Sequence, residues 1–103
     1  MTEPADAHEA LARALEHLAA GAWQPAHEIV QKQESTLAAW LHGIVHMLEP
    51  DLRNAQGWYR KAKREFPGPD AVQAEIAAAR RALHDARASS EGTSIDKAKG
   101  TRA

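Results

Sequence analysis

Proline and glycine divide this chain into helix-length pieces, and nothing else constrains its fold as strongly. Gly21, Pro25, Pro50 and the run Pro67-Gly68-Pro69 stand at the joints. Between them the sequence is rich in alanine and has no β-branched run, so helix is favoured nearly throughout. The first helix starts at Asp6, where Asp6-x-x-Glu9 reads as a capping box. Leu11, Leu15 and Leu18 form its apolar stripe, and Gly21 stops it as a C′ residue. The second starts with Pro25 near N1, where the missing N–H costs nothing, and runs through Ala26, Ile29, Val30 and Gln33. The third follows Ser35 or Thr36 as N-cap, carries the seam Leu37, Leu41, Ile44 and Leu48, and ends at Pro50. The fourth begins at Asp51, with Leu52, Ala55, Tyr59, Ala62 and Phe66 on one side, until Pro67-Gly68-Pro69 breaks it. The fifth opens with Asp70-x-x-Gln73, a second capping box, and has the stripe Val72, Ile76, Ala79 and Leu83.

Short turns between helices make antiparallel neighbours. The expected architecture is therefore all-α, with five helices: two antiparallel hairpins, first with second and third with fourth, and a C-terminal capping helix. Residues 1–88 read as a single helical domain. Residues 89–103 have one apolar anchor, Ile95, and read as a disordered polar tail. A core this rich in alanine is thin, so either the fifth helix or a homodimer, formed through the fifth-helix stripe, is expected to hide the remaining apolar surface.

The chain has 103 residues and no cysteine, which excludes a disulfide framework and a thiolate metal site. Its first residues, MTEPADAHEA, are acidic and polar and do not read as a secretory signal. No apolar run approaches the roughly 20 residues of a membrane span. The expected setting is thus cytoplasmic, with no membrane partner. A formal net charge of −1 argues against a nucleic-acid partner. The charges are uneven: residues 1–34 hold six acids against Arg13 and Lys32, while residues 51–66 hold Arg53, Arg60, Lys61, Lys63 and Arg64 against Asp51 and Glu65. Their simplest reading is as solvated helix faces.

Gly43, Ala55, Tyr59, Ala62 and Pro67 fall at offsets 0, +12, +16, +19 and +24. That spacing resembles the tetratricopeptide repeat, in which small residues let two antiparallel helices approach while an aromatic ring fills the gap beside them. Gly21, Trp23, Ala26 and Val30 align with Pro50, Leu52, Ala55 and Tyr59 at a 29-residue shift and resemble a degenerate first copy. A second resemblance covers roughly residues 22–64. AHEIVQ, AWLHGIVH with Glu49 and Asp51, and NAQGWYRKA look like a family of short, uncharacterised proteobacterial proteins with the pattern AHE-x-VQ, W-x-H-x-x-x-H-x-x-E-G-D, NA-x-x-WYR. This chain departs from it at Pro50, where the pattern has glycine, and at Gly57, where it tends to have an aromatic residue. The resemblance supplies residues and no reaction: it singles out His27, Glu28, Gln31, His42, His46, Glu49, Asp51, Asn54, Trp58, Tyr59 and Arg60.

The residues themselves point to part of the same set. His42, His46 and Glu49 lie at offsets 0, +4 and +7, within about 60° of arc on one helix face. Ala39 and Gly43 border them and are small enough to admit a second helix. Three readings follow. In the first, the imidazoles are packed and hydrogen-bonded to Glu28, Glu49 or Asp51 as a buried polar network. In the second, His42 and His46 share a metal ion, with Glu49 as third ligand and His27 or Glu28 from the second helix as fourth. Two histidines and a carboxylate suit zinc, or non-haem iron if positions stay open. In the third, a histidine acts as general base with Tyr59 or Arg60 as donor. No nucleophile elbow, phosphate loop or dinucleotide fingerprint is present. The leading expectation is a binding module without a cofactor, rather than an enzyme, that meets a protein segment or a small anionic ligand through this polar set and Arg53. The rival is a zinc or iron protein built on His27, His42, His46 and Glu49.

Overall fold

The computed structural model describes residues 4–91. They form an all-α fold: α1 (Pro4–Ala19), α2 (Trp23–Val30), α3 (Thr36–Leu48), α4 (Leu52–Lys61) and α5 (Val72–Glu91), with a short 3₁₀ turn (Pro69–Ala71) leading into α5. No helix among the described residues is long and apolar enough to cross a membrane.

The helix ends explain the boundaries. α1 begins at Pro4 rather than at Asp6, since proline's fixed φ suits the first helical turn. Gly21 then takes a left-handed φ of 79°. This lets the Ala22 N–H reach the His17 carbonyl at 2.8 Å and the Gly21 N–H reach Leu18 at 3.0 Å, the paired closing bonds of a Schellman end. α2 starts at Trp23, two residues before Pro25, and stops before Gln33. Pro25 still falls in the first turn, where N–H groups have no helical acceptor. Ser35 caps α3 by accepting from the Ala38 N–H at 3.0 Å, and Asp51 caps α4 through the Asn54 N–H.

Two expected boundaries move. α4 ends at Lys61 instead of continuing to Phe66. Lys63 turns left-handed, with φ 62°, and the Arg64 N–H closes on the Tyr59 carbonyl at 3.0 Å. The bend carries the Arg64 guanidinium over the Trp40 ring, at 3.4 Å from its centroid. It also sets Phe66 edge-on to Tyr59, with centroids 5.5 Å apart. At the other joint, Pro69 opens a 3₁₀ turn rather than Asp70 capping a helix. α5 then stays helical through Glu91, past the expected start of a tail at residue 89; residues 92–103 lie outside the described residues.

α1 pairs with α2, and α3 with α4. The α3–α4 contact is the most extensive, and Gly43 lets the Tyr59 ring lie against α3. A Cβ on Gly43 would stand 2.5 Å from Tyr59 Cδ1 and 2.8 Å from Cε1, so only glycine admits the ring. α5 packs on both α1 and α3, burying Val72, Ile76, Ala79 and Leu83. The fifth-helix stripe proposed for dimerisation is therefore used within the chain. The core is continuous from Leu11, Leu15 and Leu18 of α1 through Leu41, Ile44 and Val45 of α3 to Tyr59 of α4.

Candidate metal site

Three imidazoles meet where α2 crosses α3. His42 and His46 come from successive turns of α3 and are 5% and 6% exposed. Their rings stack with centroids 5.1 Å apart. His27 reaches in from α2, edge-on to both, at 4.8 Å from His42 and 5.4 Å from His46. One ring nitrogen from each of the three lies within 4.8 Å of the other two. In a tetrahedral site with nitrogens ~2.0–2.1 Å from one ion, such atoms sit about 3.3 Å apart.

Glu49 adds a carboxylate against His46. Its Oε1 lies 2.6 Å from His46 Nδ1, which leaves Nε2 as the nitrogen His46 can turn to an ion. Carboxylates that hold the far nitrogen of a ligating histidine fix its tautomer and raise its basicity. Asp51 is committed elsewhere: as the N-cap of α4 it faces the Asn54 N–H at 3.4 Å and the Asn54 Nδ2 at 3.2 Å. His46, Glu49 and Asp51 also lie close enough to form a donor group, but all three already have hydrogen-bond partners, His46 and Glu49 in each other and Asp51 in Asn54. Among the described residues, no side chain hydrogen-bonds to the rings of His27 or His42.

Trp58 of α4 covers the cluster. Its ring lies flat on His42, with centroids 3.8 Å apart and planes 8° from parallel, and Lys61 Nζ stands 4.9 Å from the Trp58 centroid. Burial, then the neighbouring His27, His46 and Lys61, lower the His42 pKa from 6.5 to about 4. His42 is thus neutral at pH 7, the form in which histidine binds metal.

The rest of the sequence-derived set scatters. Glu28, Gln31, Asn54 and Arg60 are exposed, and Gln31 borders a groove beside Trp58. Tyr59 points away from the histidines into a second network. Its hydroxyl donates to Glu75 Oε1 at 2.6 Å, and the Trp40 Nε1–H donates to the same oxygen at 3.0 Å. Burial first, then the Glu75 bond, push the Tyr59 pKa well above its ordinary value. Glu75 was not among the sequence candidates, although it interrupts the α5 stripe one turn after Val72 and one before Ala79, which places a carboxylate on the buried face. Lys61, in the basic run, stands beside the indole because it follows Trp58 by three residues on α4.

No family model matches this chain, nor does any curated protein or solved structure.

Proposed function

We propose that this protein is a metal-binding module that holds one divalent transition-metal ion on His27, His42 and His46, with Glu49 orienting His46. The observation that carries the reading is the convergence of three imidazoles from two helices, with one ring nitrogen from each within 4.8 Å of the other two. Three imidazoles favour zinc over the non-haem iron set of two histidines and a carboxylate, because Glu49 is engaged on His46 Nδ1. Three protein ligands leave a fourth position open, the pattern of sites that bind an exchangeable ligand rather than of closed structural ones. The close Gly43–Tyr59 approach also favours the tetratricopeptide-like reading of the second hairpin, as packing rather than as function.

Protein purified without a histidine tag and titrated with Zn²⁺ is expected to bind one equivalent. His27→Ala should weaken binding at least ~100-fold, about 3 kcal/mol. Binding of less than about a tenth of an equivalent of zinc, iron, copper or nickel, with no melting shift on metal addition, would sink the reading.

A further inference from the structure

Away from the histidine cluster, α1 packs against α5, and a cavity of about 200 Å³ opens beside that contact. Leu15 of α1 and Leu83 of α5, 1% and 3% exposed, give it an apolar wall. Arg80, His84 and Arg87 of α5 give it a basic one. These three lie at offsets 0, +4 and +7, within about 60° of arc on one helix face. Glu16 is the single carboxylate on the lining. Asp85, the nearest acid on α5, falls roughly 130° round the helix from the centre of that face.

Two guanidiniums against one carboxylate leave the cavity with excess positive charge before His84 is counted. Among the described residues, neither arginine is paired with a carboxylate, and neither side chain makes a hydrogen bond within the chain. Arg87 is nonetheless half-buried. A guanidinium drawn partly out of water without an acceptor is costly, and an anion in the cavity supplies that acceptor.

We infer that this cavity binds a phosphate group between Arg80 and Arg87, independently of any metal on the histidines. The two arginines start about 10.5 Å apart along the helix axis, a span that two long side chains close from opposite ends. One bidentate fork fills both oxygens of a carboxylate, whereas a phosphate keeps further oxygens for a second fork and for His84. The volume lies below the roughly 300–1,000 Å³ of drug-sized ligand sites. It therefore suits free phosphate or the monoester of a small alcohol, whose few carbons would rest on Leu15 and Leu83, rather than a nucleotide.

Amide NMR shifts of the full chain, stripped of metal and desalted, provide the test at constant ionic strength. Inorganic phosphate is expected to move amides of residues 12–16 and 80–87 saturably, with acetate at least about tenfold weaker. Arg80→Gln and Arg87→Gln should each weaken phosphate binding about tenfold or more. Arg81→Gln, the same charge change on an exposed neighbour turned about 100° away, should leave it unchanged. Ethyl phosphate separates the two sources: tighter binding than inorganic phosphate assigns the site to a monoester, equal or weaker binding to the free ion. Shifts that do not saturate, that gather instead on the basic α4, or that respond to Arg81→Gln as much as to Arg80→Gln would overturn the inference, as would acetate binding as tightly as phosphate. None of these outcomes bears on zinc binding, so this inference and the metal reading fail separately.

Discussion

His42 shows how one side chain acquires a role from its surroundings. Burial under Trp58 and the crowding of His27, His46 and Lys61 hold its pKa near 4 against an ordinary 6.5. The unfolded chain therefore takes up this proton before the folded one does. The stability contributed by keeping His42 neutral is fully present above pH 6.5 and is lost as the pH falls from 6.5 to about 4. Without metal, urea unfolding should show a loss on the order of 2 kcal/mol across that window after allowance for solvent screening. His42→Phe should flatten the dependence, and an equally steep profile in that variant would count against this origin. Pro50 is a second residue with a local consequence. Its φ of 27° lies far from the roughly −65° that its ring prefers, because the Asp51 N–H closes on the His46 carbonyl at 2.8 Å and that closure needs a left-handed residue. Pro50→Gly should raise the unfolding free energy by ~1–2 kcal/mol, with helical content unchanged in circular dichroism. A loss of stability would show that the turn is not strained.

At the scale of elements, α3 is the hub. One face holds the histidines toward α2 and α4; another holds Trp40 toward α5. Glu75 pins α5 by accepting from both Tyr59 and Trp40, so three helices share one carboxylate oxygen. Glu75→Leu leaves a phenol and an indole N–H without that acceptor and should cost ~2–3 kcal/mol. Glu75→Gln retains an acceptor oxygen and should cost about half as much. Hydrogen exchange is the matching local readout: Glu75→Leu should raise exchange along α5 more than along α2, whereas a uniform rise would deny the pin its place. The seams of α3 and α5 were readable from spacing: Leu41, Ile44, Val72, Ile76, Ala79 and Leu83 are core, while Leu37 and Leu48 at the ends of the α3 seam are only partly buried against it. The end of α4 was not. Lys63 gives no turn signal of its own, and its left-handed φ accompanies contacts with Trp40 and Tyr59 that no local pattern encodes.

For the whole molecule, the question is what joins the two hairpins. Apolar packing does most of it, with α5 lying across α1 and α3. The histidine cluster adds a crossing point between α2 and α3, which an ion would strengthen if the proposed metal site is correct. Zinc at 100 times its Kd should stabilise the fold by about 2.7 kcal/mol, which for a domain of this size is a rise in melting temperature of ~10–20 °C. Calorimetry with and without zinc checks this, and the shift should vanish in His27→Ala, which leaves α3 intact while removing the ligand from the opposing helix.

Alternation of alanine-rich segments with proline and glycine was sufficient by itself to specify five helices and the two hairpin turns, because helix propensity and its interruption are local properties of the chain. The same locality placed His42, His46 and Glu49 on one face, since 100° per residue fixes their relative azimuth. Whether that face met water, a carboxylate or another histidine depended on where α2 came to lie, and only the packing of α2 on α3 brought His27 to within 4.8 Å of His42. Tertiary structure likewise set Trp58 on His42 and turned the Tyr59 hydroxyl to Glu75. These outcomes turn on distances between segments far apart in the chain, which spacing along a single helix does not encode.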